Sequence, residues 1–294
     1  MAVLYAFLSS LSMWQIAALF GACYTLIAIA AIPLRHRLVG QNETRHHEAL
    51  DAIFSAVSSL YAILLGLILV AAWQNFQDAE HEQIDEAHHV VTMFRLTAGI
   101  AEPVGGQIRS DLYRYAKLTV EDEWPEMDTL FEESAGQSTG LSEIYVVYNR
   151  IWSKHVAYAP QGIHEQMIWN HALDELIRLS EDRRSRLLDA KPYLPPDVWR
   201  LLFAGAMLVM VMAALFTVSR RGLFAVTSFA LGASIALELA VVISVDHPYA
   251  GQTVVEPNAL RNAIFVMEQL SRADVRAYRI PSLLQDRASD PKRP

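Results

Sequence analysis

Glu238 is the one ionisable side chain in the otherwise apolar run between Arg221 and Asp246. A carboxylate in such a run is costly in hydrocarbon, so it faces a bundle interior or water, or else the helix ends early and places it at the interface. In an oligomer, a ring of such carboxylates favours cations. Asp246 falls about two turns further along the same side and extends an acidic track. It also opens the turn Asp246-His247-Pro248-Tyr249-Ala250-Gly251, where Asp246 and Tyr249 are suited to cap the helix and anchor its end. A second group lies in the run between Asp51 and Asp78, where Asp51, Ser55, Ser58, Ser59, Ala62 and Gly66 fall near one helical face. A small, weakly polar stripe of this kind lines a hydrated pore, or lets another helix approach closely while its hydroxyls bond across.

Weaker signals surround these two. In His81-Glu82-Gln83-Ile84-Asp85-Glu86-Ala87-His88-His89, the side chains of His81, Asp85 and His88 or His89 share a helical face, so they could hold a divalent cation or respond to pH. Asp85 stands where a metalloprotease helix has its second histidine, so that chemistry is excluded. The ordinary expectation for such a cluster is a solvated face, with no cofactor. The acidic run Glu121-Asp122-Glu123-Trp124-Pro125-Glu126-Met127-Asp128 lacks the spaced ligands and central glycine of a calcium loop and reads as a solubilising segment. No nucleophile elbow, phosphate-binding glycine loop or paired-cysteine motif occurs, and an enzyme is not expected.

The elements that position these residues follow from the charge pattern. The 294 residues are 53% hydrophobic and only 19% charged, and no charged residue precedes Arg35, separates Asp51 from Asp78, or separates Arg200 from Arg220. A spanning helix needs roughly 20 apolar residues, so four transmembrane helices are expected at about 12–33, 53–74, 199–219 and 222–245. The predicted fold is all-α, a four-span membrane protein with a helical soluble domain between spans two and three. The expected division is a hairpin over about 1–77, the acidic bundle over about 78–197, a second hairpin over about 198–250, and an amphipathic helix and tail over about 251–294.

Within the soluble region, Ile84, Ala87, Val91, Phe94 and Ala98 carry the second span outward as one long helix. Further helices are marked by Ile108, Leu112, Tyr115 and Thr119, by Leu141, Ile144, Tyr148, Ile151, His155 and Tyr158, and by Ile168, Ala172, Leu176 and Leu179. Leu260, Ile264, Met267 and Leu270 form one side of a last amphipathic helix, to lie on the membrane surface or dock on the bundle. The net charge of −8 argues against nucleic acid as a partner, and the single cysteine, Cys23, rules out an internal disulfide. Arg35, Arg37, Arg45, Arg220 and Arg221 in the two short loops favour a cytoplasmic position for those loops in a bacterial inner membrane, with the bundle and both termini outside.

The stretches Glu48–Phe54, Leu60–Gly66, Ala72-Trp73 and Glu86-Ala87 resemble the bestrophin-like domain of bacterial membrane proteins. Arg183–Leu188, the Pro195–Trp199 entry and Asp246–Gly251 extend the resemblance over essentially the whole chain. Bestrophins are pentameric four-span channels whose second span lines the pore, so the resemblance implies a homo-oligomer in the lipid bilayer that passes ions along span two. Their large domain is cytoplasmic, whereas the loop charges here place it outside. The alternative expectation is a non-conducting sensor or scaffold whose bundle binds a ligand or partner protein.

Overall fold

No proline interrupts the chain between Thr44 and Leu96, and the whole stretch is one helix of 53 residues. It ends in a tight turn at Thr97–Gly99, before Pro103, whose ring and missing N–H cannot continue a helix. The computed structural model describes residues 13–30, 44–127, 139–215, 221–250 and 253–288. In chain order the helices are α1 (Met13–Ala30), α2 (Thr44–Leu96), α3 (Val104–Leu118), α4 (Thr139–Ala157), α5 (Gly162–Asp189), α6 (Pro196–Leu215), α7 (Arg221–Asp246) and α8 (Asn258–Ala288). No strand occurs among the described residues.

Three helices, α2, α6 and α7, contain runs long and apolar enough to cross a membrane. Helix α1 is equally apolar, but its 18 residues fall just short of hydrocarbon thickness at about 1.5 Å per residue. The outer ends of the expected first span, at 12 and 31–33, lie outside the described residues, as do Arg35, Arg37 and Arg220.

The chain divides into two units, one of residues 1–78 with 191–255 and one of 79–190 with 256–294. In the first unit, α1 lies on α7 through small residues, as helices without a hydrophobic driving force between them require. A Cβ on Gly232 would lie 2.9 Å from Tyr24. The Tyr24 hydroxyl donates to the Met210 carbonyl at 2.7 Å, which ties α1 to α6. Tyr61 and Leu65 of α2 share a core with Leu202, Ala206 and Val209 of α6 and Ile235, Leu239 and Val242 of α7.

In the second unit the predicted apolar faces of α3, α4 and α5 are buried at Ile108, Leu112, Tyr115, Ile144, Ile151, Ala172, Leu176 and Leu179. The expected face of α2 is met in part. Ala87 and Phe94 are buried and Val91 packs against the core, whereas Ile84 is 45% exposed and Ala98 is exposed, and Gln83, Glu86, Val90, Met93 and Thr97 also lie inward. Of the two possible settings for the last helix, the structure shows docking. Leu260 and Ala263 of α8 pack on Ala87, Met267 joins the main core, and Tyr113 donates to Glu268 at 2.8 Å.

Candidate functional site

The apolar stretch of α2 carries two polar groups, not the single stripe that spacing predicts. Asp51, Ser55, Ser59, Ala62 and Gly66 are exposed, and a Cβ on Gly66 would meet nothing within 4 Å. Four of them, from Ser55 to Gly66, follow a spacing of four, three and four, so they make a continuous line on the side of α2 turned away from its own chain. Ser58 belongs elsewhere. Its hydroxyl oxygen is buried without a hydrogen-bond partner, on the flank that carries Tyr61 and Leu65 into the core with α6 and α7. At 100° per residue, Tyr61 stands about 120° around the helix from Ser55.

Glu238 is exposed on α7 next to Leu239, which shares a core with Tyr61. Helix α7, which carries Glu238, thus packs on the Tyr61–Leu65 flank of α2 and not on the line of Ser55, Ser59 and Gly66. Asp246 is also apart from Glu238. Instead of continuing an acidic track it is fully buried, where it accepts hydrogen bonds from the Leu194 N–H at 2.7 Å and the Trp199 indole N–H at 3.2 Å. Its own carbonyl accepts from the Tyr193 N–H at 3.2 Å. The Pro195-Pro196 entry to α6 is thus clamped to the end of α7. Tyr249, three residues further on, is buried at 8% exposure.

The histidine segment is drawn apart by its own helix. His81, Asp85 and His88 are exposed, whereas His89 is turned inward to α5, with Nδ1 2.6 Å from Glu175 and Nε2 3.5 Å from Asp182. No group of three His, Cys, Asp or Glu side chains suited to a metal ion occurs among the described residues.

A buried ionic network in the second unit escaped the sequence reading altogether. Arg186 is fully buried. Its Nε donates to Glu86 at 2.6 Å and one of its Nη atoms to Glu123 at 2.5 Å, and its guanidinium lies 5.2 Å from the centre of the Trp124 ring. Arg183 donates to the other Glu123 oxygen at 2.7 Å, and Tyr115 donates to Glu86. Burial first, and then the Glu86 charge, push the Tyr115 phenol well above its ordinary pKa, so it remains a donor. Two arginines face two glutamates, and the network is neutral. Glu123 reaches it through a widened helical turn at Thr119–Glu123, so one member of the supposed solubilising run is a buried ion-pair partner. Asp128, at the end of that run, lies outside the described residues. The signal was present in the spacing: Ala172, Leu176, Leu179, Arg183 and Arg186 continue one unbroken inward face of α5.

The family model for the bestrophin-like domain matches residues 21–260. The chain belongs to the bestrophin-like family. Among solved structures, a point variant of the bacterial bestrophin homologue from Klebsiella pneumoniae superposes with a TM-score of 0.61 at 14% identity, covering 87% of this chain and 99% of that one. The same homologue solved by zinc-based phasing gives 0.59 at 17% identity, covering 84% and 94%. A structure described only as a variant membrane protein gives 0.59 at 16% identity, covering 87% and 99%. No curated protein matches the sequence. At these identities the structures establish a shared fold, and with the apolar helices they make this bestrophin-like chain an all-helical membrane protein.

The second unit of this bestrophin-like protein also holds a histidine with no polar partner. His155 is 4% exposed, neither ring nitrogen is hydrogen-bonded, and the ring stacks on Trp169 at 3.9 Å with 3° between planes. Burial lowers its pKa from 6.5 to about 4. The stability this neutral ring contributes is therefore present above pH 6.5 and is lost as pH falls toward 4. Asp182 has the opposite sign. Burial raises its pKa from 3.8 to about 6, so its contribution is present in acid and is lost as pH rises through 6. His155→Phe, which keeps the stack on Trp169, is expected to remove about 1–2 kcal/mol of acid destabilisation at pH 5. Asp182→Asn is expected to flatten the loss on the other side. Thermal unfolding from pH 4.5 to 8 checks both, and a His155→Phe profile parallel to the wild type would show that burial does not lower the pKa of the ring.

Proposed function

We propose that this protein is a homo-oligomeric ion channel of a bacterial inner membrane, with α2 of each copy on the shared axis. The observation that carries this reading is the line of Ser55, Ser59, Ala62 and Gly66 on an otherwise apolar helix, exposed in the single chain and unused by its own packing. In hydrocarbon such a line is best matched by water or by another copy, and a ring of α2 helices supplies both. Asp51 sits at the mouth of that line. Helix α1 is the fourth span in this reading. The arginines of the two short loops favour an extracytoplasmic second unit. That unit offers its own surface to neighbouring copies, since Val156 and Ile163 are 78% and 80% exposed, with Tyr145 and Met167 exposed on the same two helices.

Reconstitution into planar bilayers tests the reading. The wild type is expected to pass current, and Ser55→Leu with Ser59→Leu is expected to lower conductance at least tenfold while the oligomer stays intact in detergent. Unchanged currents in an assembled double variant would remove the stripe from the pathway. A wild type without current in any ionic condition would favour the second reading, a scaffold that docks a partner protein on the exposed apolar side chains of α4 and α5.

A further inference from the structure

We propose that Ser58, Tyr61 and Glu238 form a binding site for one monovalent inorganic cation, held where α2 packs on α6 and α7 and separate from the exposed stripe. The hydroxyls of the first unit show the ordinary solution for polar atoms among apolar helices. Tyr24 donates to Met210, Thr25 to Gly21, Thr227 to Leu223 and Ser244 to Ala240, all backbone carbonyls at 2.7–3.0 Å. Ser58 and Tyr61 do not follow it. Both side-chain oxygens are buried without a hydrogen-bond partner, and Tyr61 is only 7% exposed. In a low-dielectric setting each orphaned hydroxyl costs on the order of 1–3 kcal/mol, a penalty that a ligand for both oxygens would offset.

Three features define that ligand. The two oxygens come from residues three apart on α2, neighbours on one helical face, so they are able to meet a single small species. Tyr61 is held in place by α6, where the bare Gly205 lets the ring lie so close that a Cβ there would stand 2.5 Å from it. Glu238 stands next to Leu239, which shares a core with the same tyrosine, and supplies a carboxylate, with no lysine or arginine in the apolar runs of α2, α6 or α7 beside it. One carboxylate and two neutral oxygens are hard donors that balance one positive charge. A divalent ion would leave a net charge in the membrane, at high cost. Glu238 is itself exposed, which gives the ion a way in.

The test uses the full chain in lipid nanodiscs, with chloride constant and N-methyl-D-glucamine replaced stepwise by sodium or potassium. Ligand binding to the folded state raises the unfolding midpoint by mass action. The wild type is expected to show a saturable rise with at least one alkali cation. Tyr61→Phe, which removes only the hydroxyl, is expected to move the half-saturating concentration at least tenfold higher, and Glu238→Gln to abolish the response. Ser244→Ala, whose hydroxyl is satisfied by a carbonyl, is expected to respond like the wild type. No cation-dependent rise in the wild type, a rise with magnesium or calcium alone, or a response that survives both Tyr61→Phe and Glu238→Gln would overturn the site. The readout is binding, so it stands or falls independently of whether the protein conducts.

Discussion

Replacing Arg186 with Met is expected to cost about 3–5 kcal/mol, because it leaves Glu86 and Glu123 buried with one neutralising arginine between them. The charge that remains has no solvent to turn to, since Arg186, Glu86 and Glu123 have side chains that are 0% exposed. For a protein whose whole margin is about 5–15 kcal/mol, the expected result is a large fall in unfolding temperature or a second unit that does not assemble. The double variant Arg186→Met with Glu86→Gln restores neutrality, leaving Arg183 opposite Glu123, and is expected to recover more than half of the loss. Thermal unfolding of the two single variants and the double variant gives the coupling directly. An Arg186→Met protein as stable as the wild type would show that the network is not an energetic unit.

The second large effect is expected at Asp246. Asp246→Ala removes a carboxylate that accepts from the buried Leu194 N–H and the Trp199 indole, and the stranded N–H makes the loss about 3 kcal/mol. Asp246→Asn keeps one oxygen for Leu194 but sets an amide N–H against the indole N–H, so an intermediate loss is expected; Trp199→Phe, with one weaker bond removed, is expected to cost about 1 kcal/mol. Hydrogen exchange at the Leu194 amide supplies the local readout and is expected to accelerate by at least tenfold in Asp246→Ala. Slow exchange at that amide in the alanine variant would mean that the clamp is held by something other than the carboxylate.

What the sequence makes legible here follows from which physical signals are one-dimensional. The charge-free runs and the three-to-four spacing are such signals, and they locate α2, α6 and α7 and the inward faces of α3, α4 and α5 at Ile108, Leu112, Ile144 and Leu176. Charged residues carry an ambiguous message. Glu86, Glu123 and Arg186 read as solvent-facing until their partners, 63 and 100 positions away in the chain, are brought beside them, and with Glu86 turned inward Ile84 faces outward. The polar side chains of α2 were ambiguous in another way. Spacing alone puts Ser58 within reach of the Ser55 stripe, and only the packing of Tyr61 on Gly205 and Leu239 assigns it to the other flank.

The docking of α8 sets an order of assembly. Leu260, Ala263 and Met267 complete cores otherwise built from residues before 190, yet the ribosome must first make residues 191–255, which include both later apolar helices. Until those two helices have been delivered to the bilayer, Ala87 and its neighbours lack their cover, and the second unit waits half-formed for its last piece. Its closure therefore follows, and reports, the synthesis of the membrane hairpin ahead of α8.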